Sequence, residues 1–337
     1  MNKHRKPKIV VIGGGTGTFS ALRGLKKYPV DLTAIVTMMD SGGSSGRLRD
    51  ELGVLPPGDI RQCLVALSSS STSLRNLFNY RFPKGDLKGH MFGNIFLSAL
   101  EKTTGDFKKA VSETGKILRI NGKVVPVTFK KTNLCVVLAD GSTIIGEKHV
   151  DLSEGQRNRA KIVKAYLEPK ATANQDALDA LTDADYILIG PGDLYTTIIP
   201  NLLVNNVVNA IKKSKAKKIF VMNLMTKCGQ TTNYKASDHV RDLEQYFGGN
   251  VLDYVLINKK KPSEKALKWY KKYYEDVVFD DLNEEGFKII RANLIKDTLI
   301  EKNKADNYRR SIIRHDPLSL AKTVIGIIDP NLTIPTP

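Results

Sequence analysis

The sequence predicts an α/β fold, in which a parallel sheet carries helices on both faces and is accompanied by a small β-rich insertion. Short apolar runs such as Val10-Val11-Ile12 alternate with helical patterns along most of the 337 residues, and this alternation is typical of parallel sheets covered by helices. Glycine-rich or polar clusters also follow several predicted strands directly. Because ligands of open α/β sheets bind beyond the carboxyl ends of the strands, we expect one composite site there.

The first predicted strand ends in a glycine turn that leads directly into a helix. The turn consists of Gly13, Gly14, Gly15, Thr16 and Gly17. Glycine lets a ligand approach the backbone closely, and the N–H groups of a first helical turn favour an anion. The turn therefore predicts a phosphate site, with a tight turn that binds nothing as the alternative. No Walker A lysine follows Gly17, and Thr18 and Ser20 break the dinucleotide fingerprint, which disfavours NAD.

The remaining segments fit a single domain over residues 1–330 and a loose tail at 331–337. Residues 31–39 predict a second strand, and the stretch from 41 to 46 reads as a second glycine-rich loop. From about 117 to 151 the pattern changes to short strands, which predicts the β-rich insertion. Later strands are predicted at 186–189, 218–223 and 251–257, and a helix at 202–211. The predicted helix caps are Asp59, Ser237, Ser263 and Asp316.

Composition and charge exclude several classes of protein. The net charge of +17 favours anionic partners such as nucleotides or phosphorylated metabolites. The lysine clusters at 212–218 and 259–272 come without a nucleic-acid-binding motif and are typical of solvated helix faces. No apolar run reaches the roughly 20 residues of a membrane span. The spacing of Cys63, Cys135 and Cys228 favours a reducing cytoplasm over zinc or disulfides.

Three acidic residues near predicted strand ends or helix starts are candidate catalytic groups, namely Asp40, Asp59 and Asp193. Mg²⁺ prefers carboxylates plus water, so Asp40 and Asp59 are also the candidate metal ligands. Asp40 stands where a dinucleotide fold carries its ribose binder. Plain capping or turn formation is the alternative for each. Two loops adjoin these acids and complete the candidate site, formed by Ser41, Gly42, Gly43 and Ser44 and by Gly190, Pro191 and Gly192.

Three arginines are candidates for the cation that the glycine turn lacks. Arg47, Arg49 and Arg61 follow the second glycine-rich loop, and a guanidinium pairs with phosphate in bidentate fashion. Surface salt bridging is the alternative for Arg47 and Arg49.

Five further side chains are candidates for contacts with a base, sugar or phosphate. Asn94 and Asn223 suit a base or sugar hydroxyls, although buried asparagines also anchor turns. Tyr270 suits stacking on a base, with a core position as the alternative. Arg314 is a candidate phosphate donor, and His315 beside it is either an acid/base group or a structural residue. No local motif supports a covalent nucleophile.

Several strings in this chain resemble one bacterial family. They are IGGGTGT, MMDSGGSSGRLRDELGVLPPGDIRQ, HMFGN, IGPGDLYTTIIPNLLV and RHDP. In this order they resemble the gluconeogenesis factor family (YvcK-like), and the resemblance extends from about Lys8 to Ile328. That family is a sister of the 2-phospho-L-lactate transferases of coenzyme F420 synthesis. The resemblance implies a Rossmann-like fold, a cytoplasmic location and a UDP-sugar ligand such as UDP-N-acetylglucosamine. It also implies a role that links carbon metabolism to cell-wall synthesis and cell shape during gluconeogenic growth.

The same resemblance implies which residues form the site, namely Gly13 to Gly17, Asp40 to Ser44, Asp59, Asn94, Gly190 to Asp193, Asn223, and Tyr270 and Arg314 as UDP-sugar contacts. Three hypotheses result. The first is a UDP-sugar-binding regulator that needs no cofactor. The second is a Mg²⁺-dependent phospho- or nucleotidyl-group transferase, and the third, an NAD-dependent oxidoreductase, is disfavoured by the broken fingerprint. Candidate partners are a second copy of the chain and cell-wall synthesis proteins, whereas nucleic acid is not expected.

Overall fold

The computed structural model describes residues 5–151, 159–296, 298–300 and 310–335. Its first part alternates strands and helices, as the sequence predicts. The elements are β1 (Lys8–Gly13), α1 (Gly15–Leu25), β2 (Asp31–Val36), α2 (Gly43–Leu52), α3 (Gly58–Leu67), α4 (Thr72–Phe78), α5 (Phe92–Thr104), α6 (Phe107–Ile117) and β3 (Lys123–Pro126). The stretch from 41 to 46, predicted as a loop, instead starts a helix at Gly43.

A small antiparallel sheet follows, and it differs from the predicted insertion at 117–151. Its elements are β4 (Asn133–Leu138), β5 (Thr143–Ile145), α7 (Glu147–Val150) and β6 (Ile162–Glu168), with strand order β5-β4-β6. The strand predicted at 124–129 is β3, which pairs in parallel with β2 in the main sheet. Its near-continuous apolar run suits a buried parallel strand. The small sheet takes its third strand from β6, which lies beyond the predicted boundary.

The last part of the chain returns to strands and helices. Its elements are α8 (Gln175–Asp183), β7 (Tyr186–Ile189), a π-helical turn (Leu194–Ile198), α9 (Ile199–Leu202), α10 (Val207–Lys213), β8 (Lys217–Val221), α11 (Ala236–Phe247), β9 (Tyr254–Asn258), α12 (Glu264–Lys271), β10 (Lys288–Ala292) and α13 (Pro317–Ile328). The helix predicted at 202–211 is broken, because Asn206 adopts φ 73° between α9 and α10. Asparagine tolerates this left-handed conformation better than most residues.

The seven strands of the main sheet are all parallel, in the order β10-β9-β8-β7-β1-β2-β3. The chain therefore runs outward from β1 to β3, crosses back to β7 and runs outward again to β10. This is the doubly wound Rossmann arrangement, as the resemblance implies, and its order reverses between β1 and β7. In such sheets the ligand crevice lies outside the carboxyl ends of the strands at that reversal.

The core forms around β1, the central strand of the sheet. Val11 pairs with Ala34 of β2 on one side and with Leu188 of β7 on the other, and all three side chains are buried. Helix α1 packs against α3 and α13. The start of α1 is thus held between a buried strand and two helices, which gives the glycine turn a rigid support.

Two of the four predicted helix caps are confirmed. Asp316 caps α13 by accepting a hydrogen bond from the Ser319 N–H at 2.9 Å, and Ser263 caps α12. Ser237 lies inside α11 and is not its cap. Asp59 does not cap α3 either, because that helix begins one residue earlier and has no side-chain cap. The Asp59 carboxylate instead accepts a hydrogen bond from the Gly15 N–H, at the start of α1.

The expectations drawn from composition can also be compared with the structure. Cys63, Cys135 and Cys228 are all free thiols. Within the described residues, no helix is both long and apolar enough to cross a membrane. Residues 332–335 of the predicted tail have no regular secondary structure, and residues 336–337 lie outside the described part of the chain.

Candidate functional site

A cavity of about 290 Å³ lies at the reversal point of the sheet, a volume close to the lower end of small-molecule sites. The structure brings most of the predicted site residues together around it. Those that line it are Gly14, Gly15, Thr16, Gly17, Asp40, Gly42, Gly43, Ser44, Asp59, Asn94, Pro191, Gly192, Asp193, Asn223, Tyr270 and Arg314. Gly13, Ser41 and Gly190 belong to the same loops but do not line the cavity.

The glycine turn meets the loop after β7 at very close range. A Cβ at Gly17 would lie 2.2 Å from the carbonyl oxygen of Pro191, so only glycine permits this approach. The Gly14 N–H donates to Thr18 Oγ1 at 2.8 Å, which holds the turn in place. The N–H groups of Thr16 and Gly17 belong to the first turn of α1 and have no acceptor within that helix. This arrangement can bind an anion.

Three carboxyl groups form an acidic wall, defined as Asp40, Asp59 and Glu147. Asp40 Oδ1 accepts a hydrogen bond from the Gly42 N–H at 2.9 Å, and Glu147 Oε2 accepts from the Ser41 N–H at 3.5 Å. Burial raises the pKa of Asp40. Burial and the neighbouring Asp40 carboxylate raise the pKa of Asp59 to about 7, and the same two causes raise the pKa of Glu147 well above its usual range.

The acidic wall suits a divalent cation bound together with a phosphate. Magnesium uses one or two protein carboxylates and completes its octahedron with water and phosphate oxygens. Asp40 and Asp59 can supply those carboxylates, and a cation there would relieve the repulsion that raises the pKa of Asp59. In the part of the chain that the structure describes, no three His, Cys, Asp or Glu side chains form a complete metal site. The fit is therefore to a cation whose other ligands come from water and the bound molecule.

Asn94 positions Arg61 at the cavity. Arg61 Nε donates to Asn94 Oδ1 at 2.9 Å, and Asn94 Nδ2 donates to Ser44 Oγ at 3.2 Å. Burial lowers the pKa of Arg61 to about 10, so the guanidinium remains charged at neutral pH. The amide of Asn94 is thus engaged with protein groups, which agrees with the anchoring alternative better than with base recognition.

The other two candidate arginines do not line the cavity. Arg47 donates to the backbone carbonyl of Lys88 at 2.7 Å. Arg49 pairs with Asp50 at 3.4 Å, which is the salt bridge foreseen as the alternative. Arg61 is therefore the arginine of this group that the fold places at the site.

A polar wall faces the cavity from the carboxyl end of β8 and the segment before α13. It consists of Asn223, Arg314 and His315. Asn223 Oδ1, Arg314 Nε and His315 Nε2 are buried and have no hydrogen-bond partner among the described residues. The ring of His315 is hydrogen-bonded to the Met222 carbonyl, and burial lowers the pKa of this histidine to about 4. His315 is thus neutral at physiological pH.

Tyr270 occupies the core position that was the alternative to stacking. The residue is only 1% exposed, and its hydroxyl accepts a hydrogen bond from the Ile313 N–H at 3.3 Å. Its ring meets Trp269 edge-on, with 4.9 Å between the ring centroids. Tyr270 therefore supports the base of the cavity, and its ring presents little surface to a ligand.

Sequence reasoning missed seven charged residues that line the cavity, namely Arg81, Glu147, Lys148, Asp151, Lys227, Glu275 and Arg310. Lys227 Nζ lies 2.9 Å from an Asp151 oxygen and 3.8 Å from an Asp193 oxygen, which ties together two loops of the site. Lys227 follows β8 and could have been found by its place after a strand. Glu147 comes from the small sheet, and no local pattern marks its approach to Asp40.

These features define an α/β protein of Rossmann topology with a charged cavity at the reversal point of its sheet. A family model described as 2-phospho-L-lactate transferase CofD matches residues 9–295. The chain is 41% identical to the gluconeogenesis factor of Bacillus subtilis over 96% of this chain and 99% of that protein. It is 45% identical to a putative gluconeogenesis factor of Nostoc sp. over 96% of this chain and 69% of that protein.

A solved structure gives the same result for the fold. An X-ray crystal structure of a Bacillus halodurans protein superposes with a TM-score of 0.86 at 36% identity, and covers 95% of this chain and all of that one. The chain belongs to the gluconeogenesis factor family, which is related to CofD.

Proposed function

We propose that this protein is a cytoplasmic regulator that binds a nucleotide sugar, and specifically a UDP-sugar such as UDP-N-acetylglucosamine, in the cavity described above. The observation that carries the proposal is the contact between the glycine turn and the loop after β7. That contact brings the N-terminus of α1 to the reversal point of the sheet. A diphosphate bound there would meet backbone N–H groups and the positive end of the helix dipole.

The charges around the cavity support the same ligand. Arg61 is held at the cavity by Asn94, and Arg314 also lines the cavity, with a buried Nε that has no partner among the described residues. Two arginines of this kind can neutralise a diphosphate in place of the missing Walker A lysine. Mg²⁺ on Asp40 and Asp59 would add to this neutralisation.

Calorimetric titration with UDP-N-acetylglucosamine tests the proposal, with UDP, GDP and NAD as comparison ligands. We expect binding of the uridine compounds and weak or no binding of NAD. An absence of binding at millimolar UDP-N-acetylglucosamine would overturn the proposal.

Two Gly→Ala variants locate the site. In Gly17→Ala the new Cβ collides with the Pro191 backbone, so the two loops must separate and affinity should fall at least tenfold, an order-of-magnitude expectation for a displaced phosphate site. Gly326→Ala is the matched control, because Gly326 also lies inside a helix but has open space around its Cβ position. Thermal denaturation of both variants reports whether the fold is intact. Equal affinities for Gly17→Ala and Gly326→Ala would place the ligand elsewhere.

A second candidate function is a Mg²⁺-dependent phospho- or nucleotidyl-group transferase. The crowded carboxylates of the acidic wall favour it, since they fit a cation that orients a phosphate, and positioning with charge neutralisation is most of what such chemistry needs. The name of the matching family model also points to transfer chemistry.

The transferase can be tested with Mg²⁺, UDP-sugar or nucleoside triphosphate donors, and 2-phospho-L-lactate as acceptor, with products separated by chromatography. Asp59→Asn should abolish product formation. Asp50→Asn, at an exposed aspartate outside the cavity, should leave it unchanged. A product that forms equally in Asp59→Asn would exclude the acidic wall from the chemistry.

The cellular part of the proposal is a requirement for cell shape and cell-wall synthesis during gluconeogenic growth. The names of the relatives, which are gluconeogenesis factors, support the growth condition, and the resemblance described above implies the role in cell shape. A deletion strain grown on a gluconeogenic carbon source should lose its normal shape and recover with the wild-type gene or Gly326→Ala. Recovery with Gly17→Ala as well would separate this role from ligand binding. Pull-down from the complemented strain tests cell-wall synthesis proteins and a second copy of the chain as partners.

A further inference from the structure

His315 is held in one orientation by two separate parts of the chain. Its backbone forms an antiparallel bridge with Ile295, and its ring is hydrogen-bonded to the carbonyl of Met222, just after β8. Because Nε2 has no partner among the described residues, the ring nitrogen on that carbonyl is Nδ1, and it donates the proton. The tautomer is therefore decided by the fold, and Nε2 carries a lone pair.

The side chain of His315 lies at the cavity, and its Nε2 is buried. His315 is 5% exposed and is one of the residues that line the cavity. A buried acceptor without a partner costs free energy, and buried polar atoms in native proteins nearly always have one. A bound molecule that supplies a hydrogen-bond donor would therefore satisfy this acceptor.

A second unpaired acceptor belongs to another residue that lines the same cavity. Asn223 is the residue after Met222, to which His315 is bonded, and its Oδ1 is also buried without a partner in the described structure. Oδ1 of Asn223 and Nε2 of His315 are named here the acceptor pair. Neither atom carries a charge, so the acceptor pair suits neutral donors and has no preference for a phosphate.

We propose that the acceptor pair binds hydroxyl groups of the ligand's sugar and makes His315 a specificity-determining residue. The proposal rests on the proposed function, because it names the part of the nucleotide sugar that the polar wall contacts. Sugar hydroxyls are neutral donors, and the ribose and the hexose of a UDP-sugar both carry them. A site built to hydrogen-bond a hydroxyl rejects a ligand that lacks it, because the buried acceptor is then left unpaired.

His315→Asn is the variant that separates recognition from folding. The asparagine amide nitrogen reaches the place of Nδ1 and can still donate to the Met222 carbonyl, whereas nothing replaces the Nε2 acceptor. His315→Gln is the rescue variant, because its amide oxygen reaches the place of Nε2. We expect His315→Asn to bind UDP-N-acetylglucosamine about 10- to 100-fold more weakly than wild type, and His315→Gln to recover part of the loss.

The ligand series for titration is UDP-N-acetylglucosamine, UDP and 2′,3′-dideoxy-UDP. If the ribose supplies the donors, His315→Asn lowers the affinity for UDP and for UDP-N-acetylglucosamine equally, and the affinity for the dideoxy compound does not change. If the hexose supplies the donors, the variant lowers the affinity for UDP-N-acetylglucosamine only, and the affinities for UDP and 2′,3′-dideoxy-UDP do not change. Either pattern supports the proposal.

The contrary outcomes are equally clear. In the first, His315→Asn does not discriminate among the ligands: the affinity for all three falls by the same factor, or no affinity changes. The acceptor pair then does not bind a hydroxyl, and the inference fails while the proposed function stands. If wild-type protein binds none of the three ligands, the proposed function fails and the inference falls with it. Thermal denaturation of each variant shows whether a loss of affinity reflects a loss of fold.

Discussion

Two buried histidines in this molecule have the same hydrogen bonding and different surroundings. His239 is 0% exposed, donates from Nδ1 to the Lys235 carbonyl at 2.9 Å and packs edge-on to Tyr234. His315 donates in the same way to the Met222 carbonyl. In both, Nε2 is buried without a partner among the described residues. Only His315 lines the cavity. The same unpaired nitrogen therefore occurs on one side chain that lines the cavity and on one that does not.

Asp242, which is buried, and Asp59, which is half-buried, show the same contrast for carboxylates. Asp242 Oδ2 accepts hydrogen bonds from the hydroxyls of Tyr195 and Tyr234, at 2.7 Å and 2.6 Å. Asp59 instead faces the Asp40 carboxylate at the cavity, which helps to raise its pKa. Asp242 is surrounded by donors and stabilises the fold. Asp59 is held beside a like charge, and such arrangements are found where function requires them.

The largest expected effect compares the two histidines directly. His315→Asn should lower the affinity for UDP-N-acetylglucosamine about 10- to 100-fold, whereas His239→Asn should change it less than about twofold, because His239 does not line the cavity. In stability the order reverses. His239→Asn leaves a void in a packed core and should cost about 2–3 kcal/mol of unfolding free energy. Urea denaturation measures the unfolding free energy of both variants, and calorimetry measures their affinities. An equal loss of affinity in both variants would contradict a binding role specific to His315.

The next effect compares the two aspartates. Asp242→Asn should lower the unfolding free energy by about 1–3 kcal/mol, because the amide replaces an acceptor with a donor inside a network of hydroxyl donors. Asp59→Asn should raise it by about 1–2 kcal/mol at pH 8, because it removes an ionised group beside Asp40. Chemical denaturation at pH 8 measures both changes. A destabilising Asp59→Asn would mean that the hydrogen bond from the Gly15 N–H to this carboxylate outweighs the repulsion from Asp40.

The pH dependence follows from the pKa of Asp59, about 7 in the folded state against an ordinary value of about 3.9. Between these two values the folded state binds more protons than the unfolded state, so this residue makes stability fall as pH rises from about 4 to about 7. His315, with its pKa lowered to about 4, acts in the opposite sense: stability falls as pH drops below about 6.5.

The difference between wild type and Asp59→Asn isolates the carboxylate. We expect that difference in unfolding free energy to grow from pH 5 to pH 8 and then to level off. Added Mg²⁺ should reduce it at pH 8 and have little effect at pH 5, because a metal binds the deprotonated carboxylate. A difference that stays constant across this range would contradict the raised pKa.

The smallest effect concerns an arginine outside the cavity. Arg49→Ala removes a surface pair in which Asp50 is exposed and the Arg49 side chain is partly buried, and surface ion pairs contribute only about 0–1 kcal/mol. We expect no change in ligand affinity and a change in unfolding free energy below about 1 kcal/mol. Arg61→Lys is the comparison within the cavity, where loss of the fork geometry should weaken binding measurably. Equal behaviour of the two variants would show that the cavity does not use Arg61.

Much of the fold could be predicted from the sequence because the signals are local. The apolar run of β1, the glycines behind it and the cap of α13 by Asp316 each depend on a few neighbouring residues. Where a local signal had two interpretations, distant contacts decided between them. Asp59 looked like a cap, but its helix begins at Gly58. Ser237 was predicted to cap α11 and instead donates to Asp281 Oδ2 from its hydroxyl.

The candidate site was predictable to the extent that its residues follow strands. The carboxyl ends of parallel strands meet at one edge of a sheet, so the loops after β1, β2 and β7 could be grouped without coordinates. Glu147 could not be grouped with them, since it comes from the small antiparallel sheet. Arg47, Arg49 and Arg61 share one type of side chain, and only the direction of α2 and α3 decided which of them lines the cavity.

The sequence by itself therefore determined the parallel α/β class, the family and the existence of a glycine turn suited to phosphate. These depend on periodicity, on composition and on runs of neighbouring residues. Only the tertiary structure decided that β3 belongs to the main sheet, that Glu147 approaches Asp40, and that His315 is neutral and lines the cavity. Burial, the pairing of like charges and the choice of tautomer depend on residues far apart in the chain, and no local pattern contains that information.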